Sequence, residues 1–210
     1  MKLYSYFRSS AAYRVRIALN LKGLDHELEA VDLLARRQRD PAYLRVNPMG
    51  LVPALDDGGT TIGQSLAIIE YLDDVYPARP IRPKDPARRA LDRSIALTIA
   101  CDIHPLNNLR VLGYLTERLG LDQSAKDDWY RHWVTEGFTA LEQLVVAAPY
   151  ASGDAPGYGD ICLIPQMFNA RRFNVDVSKF PKLVAIDAAC NALDAFARAH
   201  PSRQGDAPRA

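Results

Sequence analysis

The sequence predicts two units in tandem, a small mixed α/β domain followed by an all-α domain. Three observations carry this. In residues 1–78, short strand-like runs alternate with helical spacing. Residues 77–86 then hold Pro77, Pro80, Pro83 and Pro86, with Arg79, Arg82 and Lys84 between them, as an inter-domain linker would. Beyond Pro86 the apolar residues recur only with a helical period. The expected boundaries are 1–78 for the α/β domain, 86–200 for the helical domain and 201–210 for a polar, loose tail.

The elements follow in order. Lys2–Tyr6 alternates like a half-buried strand; after Ser9-Ser10, Tyr13, Ile17 and Leu21 form one stripe of a helix over 11–22 that stops at Gly23. A second strand is expected over 27–32, then an irregular or weakly helical stretch over 36–46. Asp56-Asp57-Gly58-Gly59 between two short apolar runs reads as a hairpin turn. Gln64-Ser65 opens a helix expected to bury Leu66, Ile69, Tyr71 and Leu72. The order βαβ then ββα gives one mixed sheet with helices on it. In the second part, 87–119 reads as one long amphipathic run kinked at His104-Pro105. Helices are also expected over 126–147, over 160–173 with Pro165 inside, and over 180–199.

Composition excludes several classes of function. The chain has 210 residues, 48% hydrophobic and 24% charged, with a net charge of +1. That balance carries no nucleic-acid footprint and no polybasic membrane anchor. No apolar run reaches the length of a membrane span, and no signal-peptide core precedes the first strand. Cys101, Cys162 and Cys190 are widely spaced in apolar helical contexts, so reduced, buried packing roles in a soluble cytoplasmic protein are expected. P-loop, GxGxxG, HExxH, CxxC and G-x-S-x-G motifs are absent, and no metal site is expected.

Three places in the first part can carry chemistry. A hydroxyl at a helix start can cap the helix, or help its unpaired N–H groups hold an anion such as a thiolate; Ser9 and Ser10 fit both uses, and Arg8 stands beside them. The Val52–Pro53 bond is either trans, the usual state, or cis, which would turn the Val52 backbone outward to pair with an extended peptide. Ser65 can cap its helix, and with Gln64 it also suits a ligand carboxylate. In the second part, His104, Asn108 and Arg110 are spaced to project together. Arg171-Arg172 ends a helix as either surface cations or a carboxylate receptor.

Taken together these stretches resemble the zeta class of glutathione transferases, in its maleylacetoacetate and maleylpyruvate isomerase group. The similarity rests on Phe7-Arg8-Ser9-Ser10 with Tyr13-Arg14-Val15-Arg16-Ile17-Ala18-Leu19, Asn47-Pro48-Met49 with Val52-Pro53-Ala54-Leu55, and Gln64-Ser65 through Leu72. It continues through Cys101 to Asn108, Pro165-Gln166, Arg172-Phe173 with Val175-Asp176, and His200-Pro201 with Arg203-Gln204. It therefore spans nearly the whole chain.

The resemblance implies a thioredoxin-like domain that binds glutathione, a helical domain that completes the substrate site, and a homodimer. It assigns Ser9 and Ser10 to the thiol, with Ser9 favoured as the hydroxyl that steadies the thiolate and Ala11 beside them. Val52, before a cis Pro53, would meet the cysteinyl backbone. Gln64 and Ser65 would hold the γ-glutamyl carboxylate, and Gln38, Asn108 and Arg110 would be further glutathione contacts. Arg8, His104 and Arg172 would receive the carboxylates of a maleyl substrate. The implied reaction converts maleylacetoacetate to fumarylacetoacetate: thiolate addition makes the double bond single, the bond rotates, and expulsion of the thiolate leaves the trans product. Maleylpyruvate isomerisation, conjugation of small electrophilic acids and a non-catalytic binding module are the alternatives. Two departures stand out. Ala11 replaces the cysteine that many zeta-class members carry, which removes a protein thiol but not the isomerase chemistry. Gly157 stands where the family tends to have a capping Ser or Thr, a change expected to cost only a few tenths of a kcal/mol, roughly.

Overall fold

The computed structural model describes residues 1–208. The first unit runs β1 (Lys2–Ser5), α1 (Ser10–Lys22), β2 (Glu27–Ala30), a 3-10 turn (Arg37–Arg39), α2 (Pro41–Val46), β3 (Ala54–Asp57), β4 (Thr60–Gly63) and α3 (Ser65–Val75). The strands form one sheet in the order β2-β1-β3-β4. β1 and β2 are parallel, while β3 is antiparallel to both β1 and β4. α1 stops at Gly23 (φ +66), where the Gly23 N–H returns to the Asn20 carbonyl and the Leu24 N–H to that of Leu19. That left-handed turn is one that glycine adopts without a Cβ penalty.

Register fixes what lies where. Tyr4 pairs with Ala54, and Ala54 with Gly63. The end of β1, the start of β3 and the end of β4 therefore share one edge of the sheet. The loop 6–9, Val52-Pro53 and Gln64-Ser65 all emerge there, brought together across about 60 residues of sequence by two strand pairings. α3 buries Ile68, Ile69 and Leu72, whereas Leu66 and Tyr71 are only half-buried. The Tyr71 hydroxyl donates to Asp57 Oδ2 at 3.1 Å, which keeps that ring at the margin instead of in the core.

The chain divides differently from the expected 1–78, 86–200 and 201–210. The first unit is Met1–Ile81 together with the segment from Asn191 onward, and the second is Arg82–Cys190. α9 (Asp194–Ala199) packs on α1. Asn20 Nδ2 donates to the Ala195 carbonyl at 2.8 Å and Arg16 Nε to that of Ala199 at 3.1 Å. The tail is pinned as well: a 3-10 turn spans Pro201–Arg203, Gln204 Nε2 bonds the carbonyls of Arg198 and His200, and Asp206 accepts the Phe7 N–H at 2.8 Å. Buried donors in the first unit need acceptors, and this polar segment supplies them.

The second unit holds α4 (Pro86–Leu97), α5 (Leu109–Glu117), α6 (Gln123–Leu144), α7 (Tyr158–Arg172) and α8 (Pro181–Asn191). The run expected over 87–119 is broken, not kinked. Thr98–Ile103 is a π-turn in which the His104 N–H reaches the Ile99 carbonyl; a 3-10 turn covers Pro105–Asn107, and Asn108 starts α5 as its cap. Cys101 is exposed, contrary to expectation, while Cys162 and Cys190 are buried. Ile99 and Ile103 face the core, so the residue midway between them faces solvent.

The missing cap at Gly157 is made good from elsewhere in the unit. Asp160 Oδ2 accepts the Gly157 N–H (2.9 Å), which is the surviving half of a capping box. The other half comes from α4: Asp92 accepts the N–H groups of Tyr158 (2.8 Å) and Gly159 (2.9 Å) and the Ser152 hydroxyl (3.0 Å). A Cβ on residue 157 would lie 2.6 Å from Asp92 Oδ2. Glycine is the residue that leaves room for this carboxylate.

Candidate active site

The loop after β1 is clamped from behind. Arg16, 2% exposed, donates Nη1 to Ser5 Oγ (3.1 Å) and the Tyr6 carbonyl (3.5 Å) and Nη2 to the Phe7 carbonyl (3.0 Å), in addition to Ala199. Burial lowers its guanidinium to about 10. With Phe7 held by Asp206, the residues left outermost are Arg8, exposed above the Phe7 ring at 5.2 Å, and half-buried Ser9. Ser9 caps α1, its Oγ accepting the Ala12 N–H at 3.2 Å. An accepting hydroxyl still has its proton to give. Ser10 is buried in the first turn, and Ala11 is half-buried next to it.

Val52 packs with Tyr6, Val31 and Tyr43, and the Val52–Pro53 bond is cis. The neighbouring Leu51 carbonyl accepts both Tyr43 Oη (2.6 Å) and Asn47 Nδ2 (2.7 Å). Burial pushes the Tyr43 hydroxyl up, so it stays a donor. Among the described residues, no hydrogen bond uses the Val52 N–H or C=O. Gly50 (φ +61) sits so close to the 3-10 turn that a Cβ there would be 2.9 Å from the Gln38 carbonyl oxygen. Half-buried Gln38 has no partner for its Oε1.

At the third segment, Ser65 does not cap its helix. Gln64 occupies the cap position with φ +66, a conformation that L residues rarely adopt, and its side chain is exposed and makes no cap bond. The first N–H of α3 to find a helical carbonyl is that of Ile68, on Gln64. The N–H groups ahead of it have no helical carbonyl to meet, and such groups suit an anion. Ser65, the first helical residue, accepts Arg14 Nη1 on its Oγ at 3.2 Å.

Arg14 was not singled out from the sequence. It is 2% exposed, and its Nε and Nη2 have no hydrogen-bond partner. The signal available was that 10–22 contains Arg14, Arg16 and Lys22 and no acid, in a helix buried on nearly every side.

The remaining candidates belong to the second unit. Asn108 spends its Oδ1 on the Arg110 N–H (3.1 Å), and Arg110 is exposed. His104 is half-buried at the end of the π-turn. Arg172 lies 4.9 Å over Phe173, which stacks on Tyr130 at 3.6 Å; burial raises that tyrosine to about 12, against the pull of the Arg172 charge. Arg171 is committed instead to Asp187, at 2.6 Å.

Sheet order, the unpaired Val52 backbone at one end of the sheet and the helical second unit fit a glutathione transferase. Residues 8–75 match the glutathione S-transferase N-terminal domain family. A probable maleylacetoacetate isomerase of Vibrio cholerae serotype O1 is 49% identical, covering 98% of this chain and 97% of its own. A maleylpyruvate isomerase of Ralstonia sp. is 45% identical, covering 98% and 99%. Among solved structures, the maleylacetoacetate isomerase of Methylobacterium extorquens AM1 with bound malonate and GSH superposes with a TM-score of 0.96 at 41% identity, covering all of both chains. The chain belongs to the zeta class of glutathione transferases, in the group that holds the maleylacetoacetate and maleylpyruvate isomerases.

The residues present fit glutathione. An unpaired backbone N–H and C=O at Val52 suit an extended peptide, and free N–H groups at the start of α3 suit a carboxylate. A hydroxyl with a proton to donate at Ser9 suits a thiolate, and all three lie at one edge of the sheet. Among the described residues, no helix is long and apolar enough to cross a membrane.

Proposed function

We propose that this protein is a glutathione-dependent cis–trans isomerase converting maleylacetoacetate to fumarylacetoacetate. The observation that carries the reading is the Ser9 hydroxyl, held at the α1 N-terminus with its proton unspent, at the same sheet edge as Val52 and Ser65. Bound glutathione supplies a thiolate that adds to the alkene and leaves after the bond has turned. Ser9 donates to that sulfur, and the α1 N–H groups and dipole favour its ionised form. Ser10 and Ala11 line the same turn.

Val52 pairs with the cysteinyl backbone ahead of Pro53, Gln38 makes a side-chain contact, and Gln64 and Ser65 take the γ-glutamyl carboxylate. In the second unit, Asn108 and Arg110 add glutathione contacts, across a homodimer. Arg8, Arg172 and His104 receive the substrate carboxylates, and their charge opposes the negative charge that develops on the substrate. A cytoplasmic location belongs to the same reading.

Maleylpyruvate is the second substrate to test, because a relative of that name is 45% identical over 98% of this chain. Purified protein with glutathione should consume the cis substrate without consuming the thiol. The preferred acid names the isomerase. Binding of glutathione with turnover of neither acid would leave a conjugating transferase or a binding module.

A further inference from the structure

α1 carries two buried arginines two residues apart, and they meet opposite fates. Arg16 gives every one of its nitrogens an acceptor in the loop or in α9. Arg14, equally buried at 2% exposure, gives one nitrogen to Ser65 Oγ and leaves Nε and Nη2 without any. Arg14 forms no ion pair among the described residues. Buried cations are ordinarily paired, because an uncompensated charge is expensive in a low-dielectric interior. The one bond that Arg14 makes leads to the first residue of α3, where the leading N–H groups also lack helical acceptors, so an anion held there would meet both.

We propose that Arg14 is the positioning residue of the γ-glutamyl site, resting on the glutathione reading given above. By donating Nη1 to Ser65 Oγ it occupies a lone pair of that oxygen, so the hydroxyl proton is directed to the ligand. Its positive charge behind the helix start adds to the α3 dipole and is neutralised when the ligand carboxylate arrives. Arg14 thus tunes one end of the ligand and leaves the thiol end alone.

The test is calorimetric binding of two probes to the full chain: glutathione, and cysteinylglycine, which lacks the γ-glutamyl group. Arg14→Met should weaken glutathione binding at least tenfold and leave cysteinylglycine within about twofold, with kcat at saturating glutathione preserved and KM raised. Arg14→Lys should recover part of the loss, since it keeps the charge and not the fork. Ser65→Ala should weaken glutathione too, and the double variant should lose less than the sum of the two single losses, as expected of residues coupled through the Arg14–Ser65 bond. Equal loss toward both probes, or wild-type selectivity retained, would overturn the proposal. If Arg14→Met does not fold, Arg14→Lys and Ser65→Ala decide it alone: undiminished preference for glutathione in both overturns it. Wild-type protein that fails to bind glutathione overturns the underlying reading as well.

Discussion

Ser9 is asked to do two things, and substitution separates them. As a cap its Oγ holds one backbone N–H, that of Ala12, at 3.2 Å. Removing such a cap costs about 1 kcal/mol, and in a chain of this size that lowers Tm by about 2–4 °C. As a donor to a thiolate, the hydroxyl makes a charge-assisted bond worth about 1.5–3 kcal/mol. At ~1.4 kcal/mol per pKa unit, Ser9→Ala should raise the pKa of bound glutathione by about 1–2 units and lower kcat/KM at neutral pH by tenfold to about a hundredfold. Ser9→Asp caps as well as serine does and suits the helix dipole, so its Tm should stay within about 2 °C of wild type. Its carboxylate, however, sets a like charge beside the sulfur and should lower activity further. The assay is the ultraviolet absorbance of the bound thiolate against pH, with thermal melts and turnover on the same samples. A Ser9→Ala protein that melts early yet keeps its thiol pKa and kcat/KM within twofold would refute the donor role and reduce Ser9 to a cap.

Arg16→Met removes the donor that serves the Ala199, Tyr6 and Phe7 carbonyls, and should cost on the order of 3 kcal/mol or more in urea unfolding; a loss below 1 kcal/mol would show that the clamp is dispensable. Gly157→Ser, nominally an improved cap, should destabilise by about 1–3 kcal/mol because its Cβ meets Asp92; a rise in Tm would contradict that contact. Burial raises Asp160 to about 6, so near pH 5 the folded chain keeps a proton that the unfolded chain has released. The stability this group contributes is therefore full below about pH 4 and is lost as pH rises through about 6. The stability advantage of wild type over Asp160→Asn should shrink between those values, by ~3 kcal/mol at most, and an advantage that grows with pH would reverse the assignment.

The element order was legible wherever local chemistry decides it. Gly23 at a helix end, the Asp-Gly-Gly hairpin and the proline-rich linker each act within a few residues. The serine pair and Gln64-Ser65 were legible too, because helix starts announce their hydroxyls. Misreadings came where a distant group intervenes. Ser65 looks like a cap, but a positive φ at Gln64 displaces it by one position and Arg14 claims its hydroxyl. Gly157 looks like a lost cap, but Asp92, some 65 residues earlier, stands in for it. Cys101 is a local misreading instead: with Ile99 and Ile103 in the core, the residue midway between them faces solvent.

The sequence by itself determined the two-part architecture and the class of enzyme, and it named the residues proposed for the glutathione site, since hydrophobic period, turn chemistry and motif are written in neighbouring residues. The tertiary structure decided which polar groups are spent and which are free. Arg14 and Arg16 are identical in type and both buried, yet Arg16 is saturated by carbonyls of the loop and of α9 while Arg14 keeps two nitrogens without an acceptor. The polar tail, unremarkable in sequence, holds the loop beside Ser9 through Asp206. Hydrogen bonds of this kind join residues up to about 200 apart, and their energy depends on burial and on a match of distances that only the folded chain sets.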